Sequence, residues 1–123
     1  MILVDTSIWI DHLRQGDDTL VALLAKGQAL VHPFVTGELA LGNLRHRDNI
    51  LDALQNLPQA DVATEIEVLC FIAANELFGT GIGYIDAHLL AAVRLAPGTT
   101  LWTRDKRLLA ACTRLGLSSN LAR

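Results

Sequence analysis

Met1-Ile2-Leu3-Val4-Asp5-Thr6-Ser7 opens the chain, and its reading decides the fold. Ile2, Leu3 and Val4 form a short continuous apolar run. Such a run suits a strand buried on both faces of a parallel sheet. Thr6 and Ser7 then offer an N-cap for a helix through Ile8-Trp9-Ile10. Asp5 therefore falls where a central strand ends and the chain turns into a helix. In open α/β sheets ligands bind at that carboxyl edge of the strands, so Asp5 is a candidate anchor for an acidic, metal-binding site.

The rest of the chain continues in short strand and helix segments. Helices are expected to end at Gly16, to start at Asp17 or Asp18 with Leu20, Leu23 and Leu24 on one face, and to start again at Thr36 and Asp48. Gln28–His32 reads as a strand stopped by Pro33, and Gln59–Ala63 as a weak one. Thr64 with Glu67 fits a capping box for a helix running to Leu77 or Phe78, with Gly79 as its stop. After the loop Gly79-Thr80-Gly81-Ile82-Gly83 come a helix from about Tyr84 to Leu95 and a strand over Thr99–Thr103. A last helix runs from Asp105 to Leu115, and Leu117–Arg123 forms an edge strand or a tail. The alternation predicts an α/β fold with a parallel sheet. With no repeat, low-complexity stretch or linker, residues 1–123 read as a single domain.

Composition narrows the function. The chain is 51% hydrophobic, enough for a core, yet no apolar run reaches the ~20 residues that span a bilayer. The start lacks the positive flank of a signal peptide, so a cytoplasmic protein with no membrane association is expected. The net charge of −3 argues against coating nucleic acid by bulk charge, although metal ions in an acidic site can supply positive charge locally. Cys70 and Cys112 form no CxxC pair and read as buried, reduced thiols.

Three more carboxylates share the position of Asp5. Glu38 lies in the first turn of the expected helix after the second strand, Asp86 follows the glycine loop, and Asp105 follows Thr100-Leu101-Trp102-Thr103. All four sit at strand-to-helix junctions, which parallel strands gather at one edge. Taken singly, Asp5, Asp86 and Asp105 could be helix caps, and Glu38 could complement a helix dipole. Taken together, four carboxylates without a cation would repel and raise one another's pKa values. Hard cations such as Mg²⁺ or Mn²⁺ want such oxygen ligands and can serve phosphodiester cleavage. The histidines are scattered, and Asp86 and His88 diverge on a helix. Trp9 and Trp102 read as core or dimer-interface residues.

The ordered set Ile2-Leu3-Val4-Asp5-Thr6-Ser7, Glu38, Ile85-Asp86-Ala87-His88-Leu89-Leu90-Ala91-Ala92 and Thr103-Arg104-Asp105 resembles the PIN-domain nucleases, and more narrowly the VapC-type toxins of toxin–antitoxin pairs. The resemblance implies a three-layer α/β/α domain with a central parallel sheet of about four to five short strands. It implies a Mg²⁺- or Mn²⁺-dependent endoribonuclease with Asp5, Glu38, Asp86 and Asp105 as catalytic acids. Asp5 and Asp86 would be the main metal ligands, with Thr6, Ser7 and Thr103 ordering the acids. Expected partners are an RNA substrate, an antitoxin segment covering the site and a second copy in a homodimer, with Leu20 and Leu23 as the first choice of interface. Arg104, Lys106 and Arg107 are candidate RNA contacts. Arg104, Arg107-Leu108-Leu109 and His88 depart from the usual family pattern. The competing reading is an inactive PIN-like scaffold, whose mark would be loss of one or more acids. An aspartyl phosphatase would want an acid where Ser7 stands, a receiver domain an acidic pair before Asp5, and a Walker loop a Lys-Ser/Thr ending that Gly79–Gly83 lacks.

Overall fold

The computed structural model describes residues 1–121. The elements run β1 (Ile2–Val4), α1 (Thr6–Gln15), α2 (Asp18–Ala25), β2 (Ala29–Leu30), α3 (Pro33–Ala40), α4 (Arg47–Asn56), α5 (Glu65–Ala74), α6 (Tyr84–Leu95), β3 (Thr100–Trp102) and α7 (Lys106–Arg114). The strands are parallel in the order β2-β1-β3, with Leu3 opposite both Leu30 and Leu101. The chain steps from β1 to β2 in one direction and returns past β1 to β3 in the other. Right-handed crossovers then place the helices of the two connections on opposite faces, giving three layers. β1 is central, which is why Leu3 and Val4 are wholly buried.

The sheet is narrower than the expected four to five strands. Its outer positions are single parallel bridges, Val31 to Gln59 and Leu101 to Ser118. Pro58 precedes Gln59, whose side-chain amide donates to the Leu54 and Leu57 carbonyls at the end of α4. Asp61 and Val62 are then exposed, so no strand grows there. At the other edge Ser119 N–H donates back to Leu101 and the pairing stops. Residues 122 and 123 of the expected edge segment lie outside the described residues.

Helix starts differ in instructive ways. Asp5, rather than Thr6 or Ser7, caps α1, and Asp17 caps α2. α3 begins at Pro33, three residues before Thr36, because Pro suits the first helical position and His32 Nδ1 accepts the Phe34 N–H at 3.0 Å. Glu38 is thus in the second turn of α3, not the first. α4 starts at Arg47, after His46 in the left-handed region, with Asp48 inside its first turn. α5 has both capping-box hydrogen bonds between Thr64 and Glu67. It ends at Ala74, short of Leu77, because Asn75 bonds back to the Phe71 carbonyl and Glu76 turns left-handed at φ 52°.

One core gathers Leu3, Val4, Ile8, Trp9, Leu89, Leu90, Leu101, Trp102 and Leu108 around the sheet. Burying a side chain of this size stabilises by about 1.5–3 kcal/mol, so packing, not two short ladders, holds the domain. Leu20 and Leu23 belong to this core, at 0% and 8% exposure, and cannot form a dimer interface. Both tryptophans are core residues. Cys112 is buried, which pushes its thiol up to about 11, whereas Cys70 is exposed on the outer side of α5, contrary to expectation. Among the described residues no helix is long and apolar enough to cross a membrane.

Candidate active site

Asp5 leaves the end of β1 as the N-cap of α1, and it is 5% exposed. A buried carboxylate must be hydrogen-bonded or charge-compensated. Its Oδ2 accepts from Ser7 Oγ (2.7 Å), Thr103 Oγ1 (2.8 Å) and the Ser7 N–H (3.3 Å). Both hydroxyls are themselves held by main chain. Ser7 Oγ accepts the Arg104 N–H at 3.0 Å, and Thr103 Oγ1 accepts the Asp105 N–H at 3.0 Å. The ends of β1 and β3 are thereby stitched together around one carboxylate oxygen. Among the described residues nothing donates to Oδ1, which is left for a ligand.

The other acids approach from three further elements. Thr6, one residue after Asp5, donates from Oγ1 to Glu38 Oε1 at 2.8 Å and ties α1 to α3. Asp105 caps α7 by accepting the Leu108 N–H at 2.9 Å. Asp86, in the first turn of α6, accepts the Gly83 N–H at 3.4 Å. Its carboxyl is pushed up to about 6, first by burial, then by the Asp5 charge, with Asp105 and Glu38 adding to it against the Gly83 hydrogen bond. All three other acids act on Asp86, so the four residues picked out along the chain form one electrostatic cluster. Asp5 and Asp105 are also helix caps. The two roles coincide, since a cap leaves the second carboxylate oxygen free.

The donor set fits a hard divalent cation: every candidate ligand is a carboxylate oxygen, and burial, followed by the neighbouring negative charges, penalises the ionised form of Asp86, a penalty that a cation would offset. Among the described residues no group of three or more His, Cys, Asp or Glu side chains is placed to hold a metal ion by itself. Mg²⁺ does not require one, because it is usually held by one or two carboxylates with waters and phosphate oxygens completing the shell.

The candidate RNA contacts divide. Arg104 donates to Asp11 at 2.8 Å and Asp17 at 2.6 Å and lies over the Trp102 ring at 5.5 Å. The Asp17 hydrogen bond raises its pKa, and Arg104 in turn holds Asp17 below the usual carboxylate range. Arg104 is thus a clamp joining β3 to α1 and the α2 cap. Lys106 and Arg107 are exposed beside Asp105.

Sequence reasoning gave no role to a second buried group. His88 packs edge-on against Tyr84, Phe34 and His32, at 4.7, 4.8 and 6.4 Å between ring centres. His32 Nε2 and His88 Nδ1 are buried without a hydrogen-bond partner. Burial, followed by His88, lowers His32 to about 4, and burial lowers His88 as well. Both imidazoles are therefore neutral packing groups. The one local signal was His32 directly before Pro33 at a strand-to-helix junction.

This fold and acid cluster define a class. The PIN-domain family model matches residues 2–113. Ribonuclease VapC32 of Mycobacterium tuberculosis, in both the CDC 1551 and H37Rv strains, is 52% identical over 118 residues, spanning 96% of this chain and 95% of the relative. The chain belongs to the PIN-domain family, in its VapC-type branch. Among solved structures, FitAB bound to an IR36 DNA fragment contains a chain with TM-score 0.58 and 20% identity, covering 92% of this chain and 91% of that one. At that identity the likeness concerns the fold.

Proposed function

We propose that this chain is a divalent-metal-dependent endoribonuclease that acts as the toxin of a toxin–antitoxin module. The observation that carries the reading is the placement of Asp5, Glu38, Asp86 and Asp105 at one sheet edge, close enough for the other three to raise the Asp86 carboxyl. The relatives named Ribonuclease VapC32 support the substrate class. All four acids are present, which favours an enzyme over an inactive scaffold.

Asp5 and Asp86 would hold the ion, with Glu38 and Asp105 contributing through water or a second ion. Mg²⁺ or Mn²⁺ bound there would neutralise phosphate charge and make a water more acidic. The chain's own part is preorganisation. Ser7 and Thr103 fix the Asp5 carboxylate plane, Thr6 aims Glu38, and the Gly83 N–H orients Asp86. Overall, water adds to the scissile phosphorus as the bond to the leaving ribose oxygen breaks. An antitoxin segment that covers the acids would silence the site. A homodimer, a cytoplasmic location and one PIN-like unit over residues 1–123 complete the reading.

The test is cleavage of structured RNAs by the purified chain with Mg²⁺, with Mn²⁺ or with EDTA. Cleavage with either metal and none with EDTA is expected; equal cleavage in EDTA overturns the metal assignment. Thr103→Val keeps the shape but removes a donor to Asp5 and an acceptor for Asp105. Mg²⁺ affinity measured by calorimetry should fall about 10- to 100-fold, with stability lower by about 1–3 kcal/mol. Unchanged affinity would reduce Thr103 to a packing residue.

A further inference from the structure

Helix α7 presents two different faces. Leu108, Ala111 and Cys112 point into the core, whereas Lys106, Arg107, Ala110 and Arg114 are exposed. Arg107 and Arg114 stand two turns apart on the same side, about 10 Å along the axis. The residues between them on that side are alanines, so the surface dips instead of bulging. Lys106, Arg107 and Arg114 flank a groove of about 340 Å³ floored by Ala110 and Ala111 and bounded by Thr80 of the glycine loop.

Among the described residues none of these three cations is in an ion pair. Among the described residues the ion pairs are those of Arg104 with Asp11 and Asp17. Arg114 donates to the main-chain carbonyl of Glu76 at 3.5 Å. Arg107 lies along the backbone of Gly81, where a Cβ would stand 3.0 Å from its Cδ. Gly81 has φ +85°, so the turn favours glycine, and the lack of a side chain lets Arg107 lie close against it. No carboxylate lines the groove in a chain whose net charge is −3. The groove starts at Lys106, directly after Asp105, and leads away from the acid cluster.

We propose that this groove carries the sugar–phosphate backbone of the RNA on one side of the cut, with Arg107 and Arg114 each meeting a phosphate and Lys106 nearest the scissile one. The proposal rests on the ribonuclease reading of the acid site. Contacts of this kind fix register and orientation without reading sequence. An RNA strand suits the groove better than an apolar partner, because its walls are cationic and its floor is two methyl groups.

The experiment compares Arg107→Gln/Arg114→Gln with the unaltered chain, using a labelled single-stranded RNA between 50 and 200 mM KCl. Binding is read in an Asp5→Asn background to prevent cutting. Each lost phosphate contact removes about 0.7 from the slope of log Kd against log salt. The double variant should therefore lose about 1.4, so that across this fourfold salt range its affinity falls about sevenfold less than that of its parent. In the otherwise unaltered chain the same pair should raise KM and leave kcat within about twofold. Ala110→Met, which fills the groove without changing charge, should weaken binding with the slope unchanged. An unchanged slope in the double variant, or a fall in kcat at constant KM, overturns the proposal. So does loss of affinity for a polyglutamate peptide with RNA binding intact, which would assign the groove to an acidic protein. A chain that cuts no RNA with Mg²⁺ or Mn²⁺ overturns the ribonuclease reading and this inference together; one that cuts RNA with an unaltered salt slope overturns this inference alone.

Discussion

Asp5→Asn should leave a folded chain whose RNA cleavage is at least about 10³-fold slower, a loss on the order of 4 kcal/mol in transition-state stabilisation. The expectation rests on the separate jobs of the two carboxylate oxygens. Oδ2 takes donors from Ser7 and Thr103 and caps α1. An asparagine carbonyl oxygen can accept the same donors, and Asn is among the preferred caps, so the junction survives. The amide nitrogen then stands where Oδ1 stood and presents hydrogens to a site that needs a negative oxygen. The Asp5 charge is also the second contributor, after burial, to the raised Asp86 carboxyl, so that carboxyl should fall toward its ordinary value. Three measurements check this: a thermal midpoint in EDTA close to the parent's, loss of the Mg²⁺-induced rise in that midpoint, and loss of cleavage. Cleavage within tenfold of the parent would remove Asp5 from the site.

What could be read from the chain depended on how local the deciding interaction was. Met1–Ser7 announced a buried strand and its acid because apolar run and carboxylate are adjacent in sequence. The Thr64–Glu67 box and the Tyr84–Leu95 helix were legible for the same reason, with their signals inside one or two turns. Glu38 reads from the sequence as a first-turn residue, whereas it lies in the second turn of α3. Pro33 was read only as the end of a strand, although it also suits the first position of a helix, and His32 is not among the usual caps. The outer strands shrank to bridges because their pairing depends on tertiary packing that short polar segments do not encode. Arg104 looked like an RNA contact because its partners, Asp11 and Asp17, lie 93 and 87 residues earlier in the chain. Asp5 reads from the sequence both as a possible cap and as a candidate anchor of the acidic site, and in the structure it caps α1. The same geometry that closes the helix leaves one oxygen for the cluster, so a helix cap and a place in the acid cluster are compatible roles.

The second large effect concerns pH, where a buried imidazole and a partly buried carboxyl oppose each other over one window in the metal-free chain. Asp86 titrates at about 6 when folded against 3.8 for the ordinary group. Between those values the folded chain keeps a proton that the unfolded chain releases, so its contribution to stability falls as pH rises from about 4 to 6. His32 titrates at about 4 when folded against 6.5. Over nearly the same range the unfolded chain gains a proton that the folded chain refuses, so stability falls as pH drops from about 6.5 to 4. His32 is wholly buried and should contribute about 3 kcal/mol across its window. Asp86 is partly exposed, and screening reduces its share to about 1–2 kcal/mol. Each substitution should unmask the other group. In EDTA, His32→Asn keeps a side-chain cap for α3 and should make the chain gain stability, relative to its parent, as pH falls toward 4. Asp86→Asn should be more stable than its parent at pH 7 and lose that advantage below about pH 4, while ceasing to gain stability from Mg²⁺. Urea unfolding of the three proteins from pH 4 to 7.5 reads these differences directly, with other carboxylates such as Asp17 and Glu67 forming a shared background. If the gaps between variants and parent do not vary with pH, then neither the neutral histidine pair nor the protonated Asp86 describes this site, and the electrostatic case for a cation among the four acids goes with them.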